Sequence, residues 1–132
     1  MRLLLRMSCL VLAMVVIAGG CTSNTRSPLG ERAVVKGKVS IDGKAVTNGS
    51  VGFFPVDPGR GDEQYGFIDK NGQYSAALFP GKYRVAIEPE GVRSGNAGRP
   101  SGVPAKFQKP DTSGLEAEIP SGGREGMDFI LK

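Results

Sequence analysis

The chain has 132 residues, with 17 Lys and Arg against 13 Asp and Glu, a formal net charge of +4, and no His or Trp. This length suits one small domain, and no basic cluster with interleaved aromatic residues is present, which argues against a nucleic-acid partner. Without His, neither a Ser-His-Asp nor a Cys-His catalytic arrangement can form.

The first twenty residues have the three parts of a secretory signal. Arg2 and Arg6 form its positive region. Residues 7–18 form an apolar run of about a dozen residues, too short to span a bilayer comfortably. The small residues Gly19 and Gly20 then provide a cleavage site. We therefore predict that residues 1–20 are a signal peptide, whose removal lowers the net charge to about +2.

Cys21, directly after this site, is the predicted lipidation site. The segment resembles the bacterial lipobox, although Ala18 stands where that motif prefers Leu. The resemblance implies that the Cys21 thiol receives a diacylglyceryl group and that Cys21 becomes the N-terminus. Cys9 lies inside the signal, so Cys21 has no disulfide partner in the processed chain. Two or three acyl chains, at about 0.8 kcal/mol per buried methylene, would then hold the protein firmly on a membrane.

Two alternatives remain for this segment, an ordinary cleaved signal and a retained membrane anchor. The lipobox resemblance implies an exported protein on a bacterial membrane, facing the periplasm or the cell exterior. Thr22 follows the Cys, where Asp would favour the inner membrane in enteric bacteria, so the outer membrane is preferred. Residues 21–32 are polar and lack periodicity, and they are predicted to be the lipidated Cys and a flexible tether.

From Ala33 the hydrophobic pattern changes to period two, which is typical of half-buried strands. No stretch outside the signal has a convincing helical period. Strands are predicted at 33–41, 44–47, 50–54, 64–69, 73–79, 82–87 and 115–119, with a last one that carries Met127, Phe129 and Leu131. Turn dipeptides separate them, and Asn71-Gly72 is predicted to close a hairpin. An antiparallel β-sandwich follows, with a small barrel as the alternative.

Three segments then stand in a familiar order: Val39 to Val46 (VSIDGKAV), Ile68 to Tyr74 (IDKNGQY) and Phe79 to Val85 (FPGKYRV). Their succession resembles the carboxypeptidase regulatory-like domains, with Ala45 where Pro is common. The resemblance covers residues 34–132. It implies that residues 33–132 form an antiparallel, seven-stranded, transthyretin-like sandwich, in which Tyr74 and Tyr83 bury their rings and keep their hydroxyls at the rim.

The segment 89–114 is a long loop, rich in Gly, Pro and Ser. Residues 91–102 are predicted to be mobile, with a solvated tip at 95–98. Val103, Pro104 and Phe107 are the sizeable apolar residues there, and we expect them to pack back onto the sandwich. The alternative is disorder of the whole loop. Loops of this length are often functional, so Arg93, Arg99 and Phe107 are the candidate ligand contacts.

Other motifs are weak. Asp69-x-Asn71-Gly72 departs from the EF-hand pattern, because Gly is required at the sixth position, and we predict no metal site. Arg60-Gly61-Asp62 spells an adhesion tripeptide that arises easily by chance in such a loop. Glu116 and Glu118, like Glu88 and Glu90, are spaced to share the solvated face of a strand. We predict neither catalytic residues nor a cofactor.

The sequence therefore predicts a non-enzymatic, lipid-anchored β-sandwich of the cell envelope with a structural or accessory binding role. Its partners would be the membrane, through acylated Cys21, and an envelope protein or glycan. A ligand- or glycan-binding module at the cell surface is the first alternative. A small hydrolase is the second, and the missing His argues against it.

Overall fold

The computed structural model describes residues 28–89 and 102–132, and within these ranges the chain is all-β with no α-helix. The eight strands are β1 (Ala33–Ile41), β2 (Lys44–Ala45), β3 (Ser50–Pro55), β4 (Gln64–Phe67), β5 (Gln73–Leu78), β6 (Gly81–Glu88), β7 (Leu115–Ile119) and β8 (Phe129–Leu131). A short 3-10 helix spans Ala105–Gln108. The predicted signal peptide, Cys21, Arg93 and Arg99 lie outside the described residues.

The strands form two sheets in a sandwich-like arrangement. In the first sheet, β1 pairs with β2 and β5 in antiparallel fashion and with β8 in parallel fashion. The second sheet has the order β4-β3-β6-β7 and is antiparallel throughout. The sequence predicted the positions of these eight strands well, whereas the family resemblance implies seven; the β1–β8 pair is parallel, although an antiparallel sandwich was expected. The β1–β8 pair is parallel because β7 ends at the same end of the molecule where β1 begins. The segment after β7 must therefore run in the same direction as β1.

The predicted hairpin at Asn71-Gly72 is instead a corner between the two sheets. β4 pairs with β3 and β5 pairs with β1, so only an isolated bridge joins Ile68 to Tyr74. The Asp69 carboxylate forms the turn, because its Oδ1 accepts the Asn71 N–H at 2.8 Å and the Gln73 N–H at 2.9 Å. Gly72, with φ of +77°, completes it. The turn prediction is confirmed. The predicted pairing is limited to the Ile68–Tyr74 bridge and to the Asp69 N–H, which donates to Gln73 O at 2.9 Å, because the two strands then join different sheets.

The core lies between the sheets and consists of the inward positions of each alternating strand. Tyr74 and Tyr83 are 4 % and 1 % exposed, so the expected burial of their rings is confirmed. Their hydroxyls, expected at the rim, are buried too. Tyr74 Oη donates to Met127 O at 2.7 Å and Tyr83 Oη donates to Phe79 O at 2.9 Å. Both hydroxyls thereby keep the hydrogen bond that burial requires.

The second half of the long loop packs against the sandwich. Val103 and Phe107 are each 6 % exposed, as expected. Pro104 is exposed, contrary to expectation, because it precedes the 3-10 helix and offers its carbonyl to the Phe107 N–H at 3.0 Å. The loop tip at 95–98 lies outside the described residues.

The strand registers define two ends of the molecule. The entry end holds Arg32, the start of β1, the 56–63 loop and the turn between β5 and β6. The loop end holds the Asp42-Gly43 turn, the Asp69–Gly72 corner and the 3-10 helix. The chain therefore enters the sandwich at the end opposite to the one that carries the long loop.

Candidate functional site

A shallow groove of about 620 Å³ lies on the outer face of the first sheet. Its floor is formed by outward residues of β1 and β5, and its two walls come from the β4–β5 corner and from the segment that leads into β8. The floor includes Lys36, Lys38, Gln73 and Ser75, and the walls include Phe67 and Asp69 on one side and Glu125 and Asp128 on the other.

The floor is polar because of the strand period. Lys36 faces Ser75 and Lys38 faces Gln73 in the β1–β5 register. Successive side chains of a strand point to opposite faces, so Val35 and Val39 enter the core while the lysines stand in solvent. The groove floor thus carries hydrogen-bond donors and acceptors on a rigid, paired strand.

The Glu125–Asp128 wall is fastened to β1 by three hydrogen bonds. Lys36 N donates to Arg124 O at 2.9 Å, and Met127 N donates to Lys36 O at 3.0 Å. Lys38 N donates to Asp128 Oδ1 at 2.8 Å. The close approach requires Gly37, because a Cβ at that position would overlap the carbonyl of Met127. The wall is therefore preformed.

Phe67 is the dominant apolar group of the opposite wall, with 76 % of its surface exposed. It ends β4, and β4 lies close to β5 because Gly66 has no side chain: a Cβ there would stand 2.9 Å from Ser75 O. The adjacent Asp69 is held by the corner hydrogen bonds. An exposed phenyl ring thus stands beside a rigid polar floor.

The charges in the groove nearly balance. Asp69, Glu125 and Asp128 supply three carboxylates against the two ammonium groups of Lys36 and Lys38. Lys36 Nζ lies 3.6 Å from Glu125 Oε1, an exposed pair of little strength. Within residues 28–89 and 102–132, no group of three or more His, Cys, Asp or Glu side chains is placed to hold a metal ion.

Tyr74 lies beneath the floor. Burial raises the pKa of the Tyr74 hydroxyl well above its usual 10.0, the nearby Asp128 carboxylate raises this pKa further, and Arg124 opposes the shift. The hydroxyl therefore stays protonated and keeps its hydrogen bond to Met127 O. Its role is to support the wall rather than to transfer a proton.

The structure places the residues that the sequence singled out at several sites. Phe107 packs into the core, with Lys106 Nζ 4.5 Å from its ring centroid, so its role as a ligand contact stays a prediction. Of the adhesion tripeptide, Arg60 pairs with Asp57 at 3.6 Å and Asp62 pairs with Arg32 at 2.8 Å. Both charged ends of that tripeptide are therefore engaged within the fold.

Glu116 and Glu118 are both exposed on β7, as expected for a solvated face.

No helix in the described parts of the chain is long and apolar enough to cross a bilayer.

Sequence reasoning missed the groove. The one available signal was Phe67, which alternates with the buried Ile68 and so had to point outward. The walls could not be found in the same way, because they depend on which strands become neighbours.

Comparisons with known proteins give one likeness. No protein-family model matches the chain, and no curated protein matches it. Among solved structures, the chain is similar to the crystal structure of a DUF3823 family protein from Parabacteroides merdae, with a TM-score of 0.50 and 15 % identity. The match covers 77 % of this chain and 46 % of that one, so this chain spans about half of its length. At this identity the likeness shows a β-rich fold alone.

Proposed function

We propose that the protein is a non-enzymatic, lipid-anchored binding protein of the bacterial cell envelope. Cys21, behind a signal peptide at residues 1–20, carries the acyl chains. Residues 33–132 form a carboxypeptidase regulatory-like domain that contacts a partner in the periplasm or at the cell surface. The positively charged start, the apolar run and the small residues before Cys21 support the anchor.

The observation that carries the binding role is the exposed Phe67 in a preformed groove. A phenyl ring in water forgoes the stabilisation of burial, about 25 cal/mol per Å² of apolar surface. A partner that covers this ring would recover that stabilisation. Both groove walls are fixed by hydrogen bonds, so binding would need little ordering.

The transthyretin-like assignment is supported by the family motifs. The Asp69–Tyr74 motif forms the corner, and its Tyr is buried. The Pro80-Gly81 motif leads into β6, with Gly81 at φ of +152°. Because β2 has only two residues, seven longer strands remain, which is the number that the family has.

Metabolic labelling with a fatty acid tests the anchor. The wild type and the Cys9→Ala variant should both incorporate label, because Cys9 lies within the signal that is removed. The Cys21→Ala variant should incorporate none. Label that persists in Cys21→Ala would overturn the proposed anchor.

A further inference from the structure

We infer that the Phe67 groove binds a neutral oligosaccharide chain, a conclusion that rests on the binding role proposed above. Phe67 would stack on the C–H face of one sugar ring. Lys38, Asp69 and Asp128 would hydrogen-bond to hydroxyls of that sugar and its neighbour.

An extended peptide that adds a strand needs a free strand edge. Among the described residues, the unpaired edge nearest the groove is the outer edge of β5, and β4 covers it. The residues of β1 at its floor are paired on one edge with β5 and bonded on the other to the segment from Arg124 to Met127. The outer edge of β5 faces β4, where Gly66 approaches Ser75 O. A partner in the groove therefore meets side chains rather than backbone.

A polyanion needs an excess of positive charge, since phosphate or sulfate binding is dominated by Lys and Arg. The groove instead has one more carboxylate than ammonium group, with Asp69, Glu125 and Asp128 against Lys36 and Lys38. An apolar protein partner needs a cluster of buried anchors. Phe67 is the only large apolar side chain among the groove residues that is exposed. Neither class fits.

The side chains of the groove match what a neutral sugar requires. A pyranose has an apolar C–H face and a rim of hydroxyls that both donate and accept hydrogen bonds. Phe67 offers a flat ring for the face. In the bonds that the described residues make, Asp69 and Asp128 each use Oδ1, which leaves Oδ2 to accept from a hydroxyl. Lys38 makes no ion pair with the described residues and has three N–H donors.

The shape agrees with this chemistry. The groove is open and shallow rather than enclosed, so it can hold internal units of a longer chain without an end to recognise. The aligned Lys36–Ser75 and Lys38–Gln73 pairs give the floor donors and acceptors at a spacing of two residues. Successive sugars along a chain would meet similar groups.

Isothermal titration of the full chain in detergent tests the inference. The probes are soluble glucan, mannan and xylan oligosaccharides, an anionic polysaccharide, and a set of unrelated peptides. We expect at least one neutral oligosaccharide to bind. Phe67→Ala should weaken that binding at least tenfold, and Phe67→Tyr should restore most of it. Ile130→Ala removes a side chain that is 65 % exposed outside the groove, so it should change the affinity less than twofold.

The other outcomes separate the two proposals. Binding of peptides or the polyanion that depends on Phe67, without any neutral sugar, would overturn the glycan assignment and keep the binding role. Sugar binding that is insensitive to Phe67→Ala would overturn the assignment to this groove. Absence of binding by every probe would count against the glycan assignment, while acylation of Cys21 is tested independently. A thermal melt confirms that each variant is folded.

Discussion

The Tyr74 hydroxyl donates a hydrogen bond of 2.7 Å to the carbonyl oxygen of Met127, across the backbone of Gly37. Gly37 is the direct register partner of Tyr74, and Met127 is bonded to Lys36, the neighbour of Gly37. A side chain from β5 therefore passes over a glycine of β1 to reach the segment before β8. The contact fastens one groove wall to its floor.

The first prediction concerns this glycine. Gly37→Ala should destabilise the protein by about 3 kcal/mol, because the new methyl group and the Met127 carbonyl cannot both keep their places. Denaturant unfolding followed by circular dichroism measures the change. Gly122→Ala is the matched control, since nothing lies within 4 Å of a Cβ there, and it should cost less than about 0.5 kcal/mol. Equal costs at both positions would refute this packing argument.

The second prediction concerns the Tyr74 hydroxyl. Tyr74→Phe should lower the free energy of unfolding by about 1–2 kcal/mol at neutral pH, because the Met127 carbonyl loses its side-chain donor. Amide hydrogen exchange should quicken at Met127 N more than at Val51 in the second sheet. An unchanged stability would mean that water replaces the hydroxyl at no cost.

The third prediction is a pH dependence. The folded-state pKa of Tyr74 is raised above its usual 10.0, so the unfolded chain loses this proton first as the pH rises. Stability that Tyr74 contributes is therefore complete below pH 10 and falls above it. The wild type should lose stability more steeply above pH 10 than Tyr74→Phe, in urea unfolding at matched ionic strength. Parallel pH profiles for the two proteins would contradict the raised pKa.

The fourth prediction concerns the docked half of the long loop. Phe107→Ala should cost about 3 kcal/mol, since the ring is 6 % exposed and belongs to the core. Lys109→Ala, at an exposed position just after the 3-10 helix, should cost less than about 0.5 kcal/mol. Thermal unfolding of both variants makes the comparison. A small effect of Phe107→Ala would show that the loop contributes little to the fold.

The fifth prediction concerns Arg32, the last residue of the predicted tether. Its guanidinium lies 4.5 Å from the Phe79 ring centroid and 2.8 Å from an Asp62 oxygen. Both groups of the ion pair are partly exposed, so Arg32→Ala should cost only about 1 kcal/mol. Arg60→Ala removes a more exposed pair at 3.6 Å and should have no measurable effect in the same urea titration. Indistinguishable midpoints would show that Arg32 does not hold the entry end.

The strands were predictable because their signal is local. Period-two alternation places Tyr83, Val85 and Ile87 in the core, and the structure agrees. Pairing is not local. The Asn71-Gly72 dipeptide looks the same whether the following strand returns to its own sheet or crosses to the other one. This segment becomes a corner because β5 pairs with β1 in the first sheet and β4 pairs with β3 in the second.

The groove was hidden for the same reason. Lys36 and Asp128 are 92 positions apart in the chain, and a parallel pairing that no local pattern signals brings their segments together. The buried tyrosine hydroxyls were misjudged because their acceptors are backbone carbonyls. Met127 O can approach the Tyr74 hydroxyl only because Gly37 has no side chain, and the sequence alone does not show that these three residues meet.

If Cys21 carries the anchor, as proposed, the position of Arg32 gives the molecule a pole near the membrane and a distal pole. The eleven Cα–Cα steps from Cys21 to Arg32 can reach on the order of 40 Å when fully extended. The eight residues of β6 then carry the distal pole about 26 Å further out. The floor of the Phe67 groove lies on the flank of the sheet, and one of its walls is the Asp69–Gly72 corner at the distal pole. A ligand would therefore reach it sideways, from the space between neighbouring molecules on the same membrane.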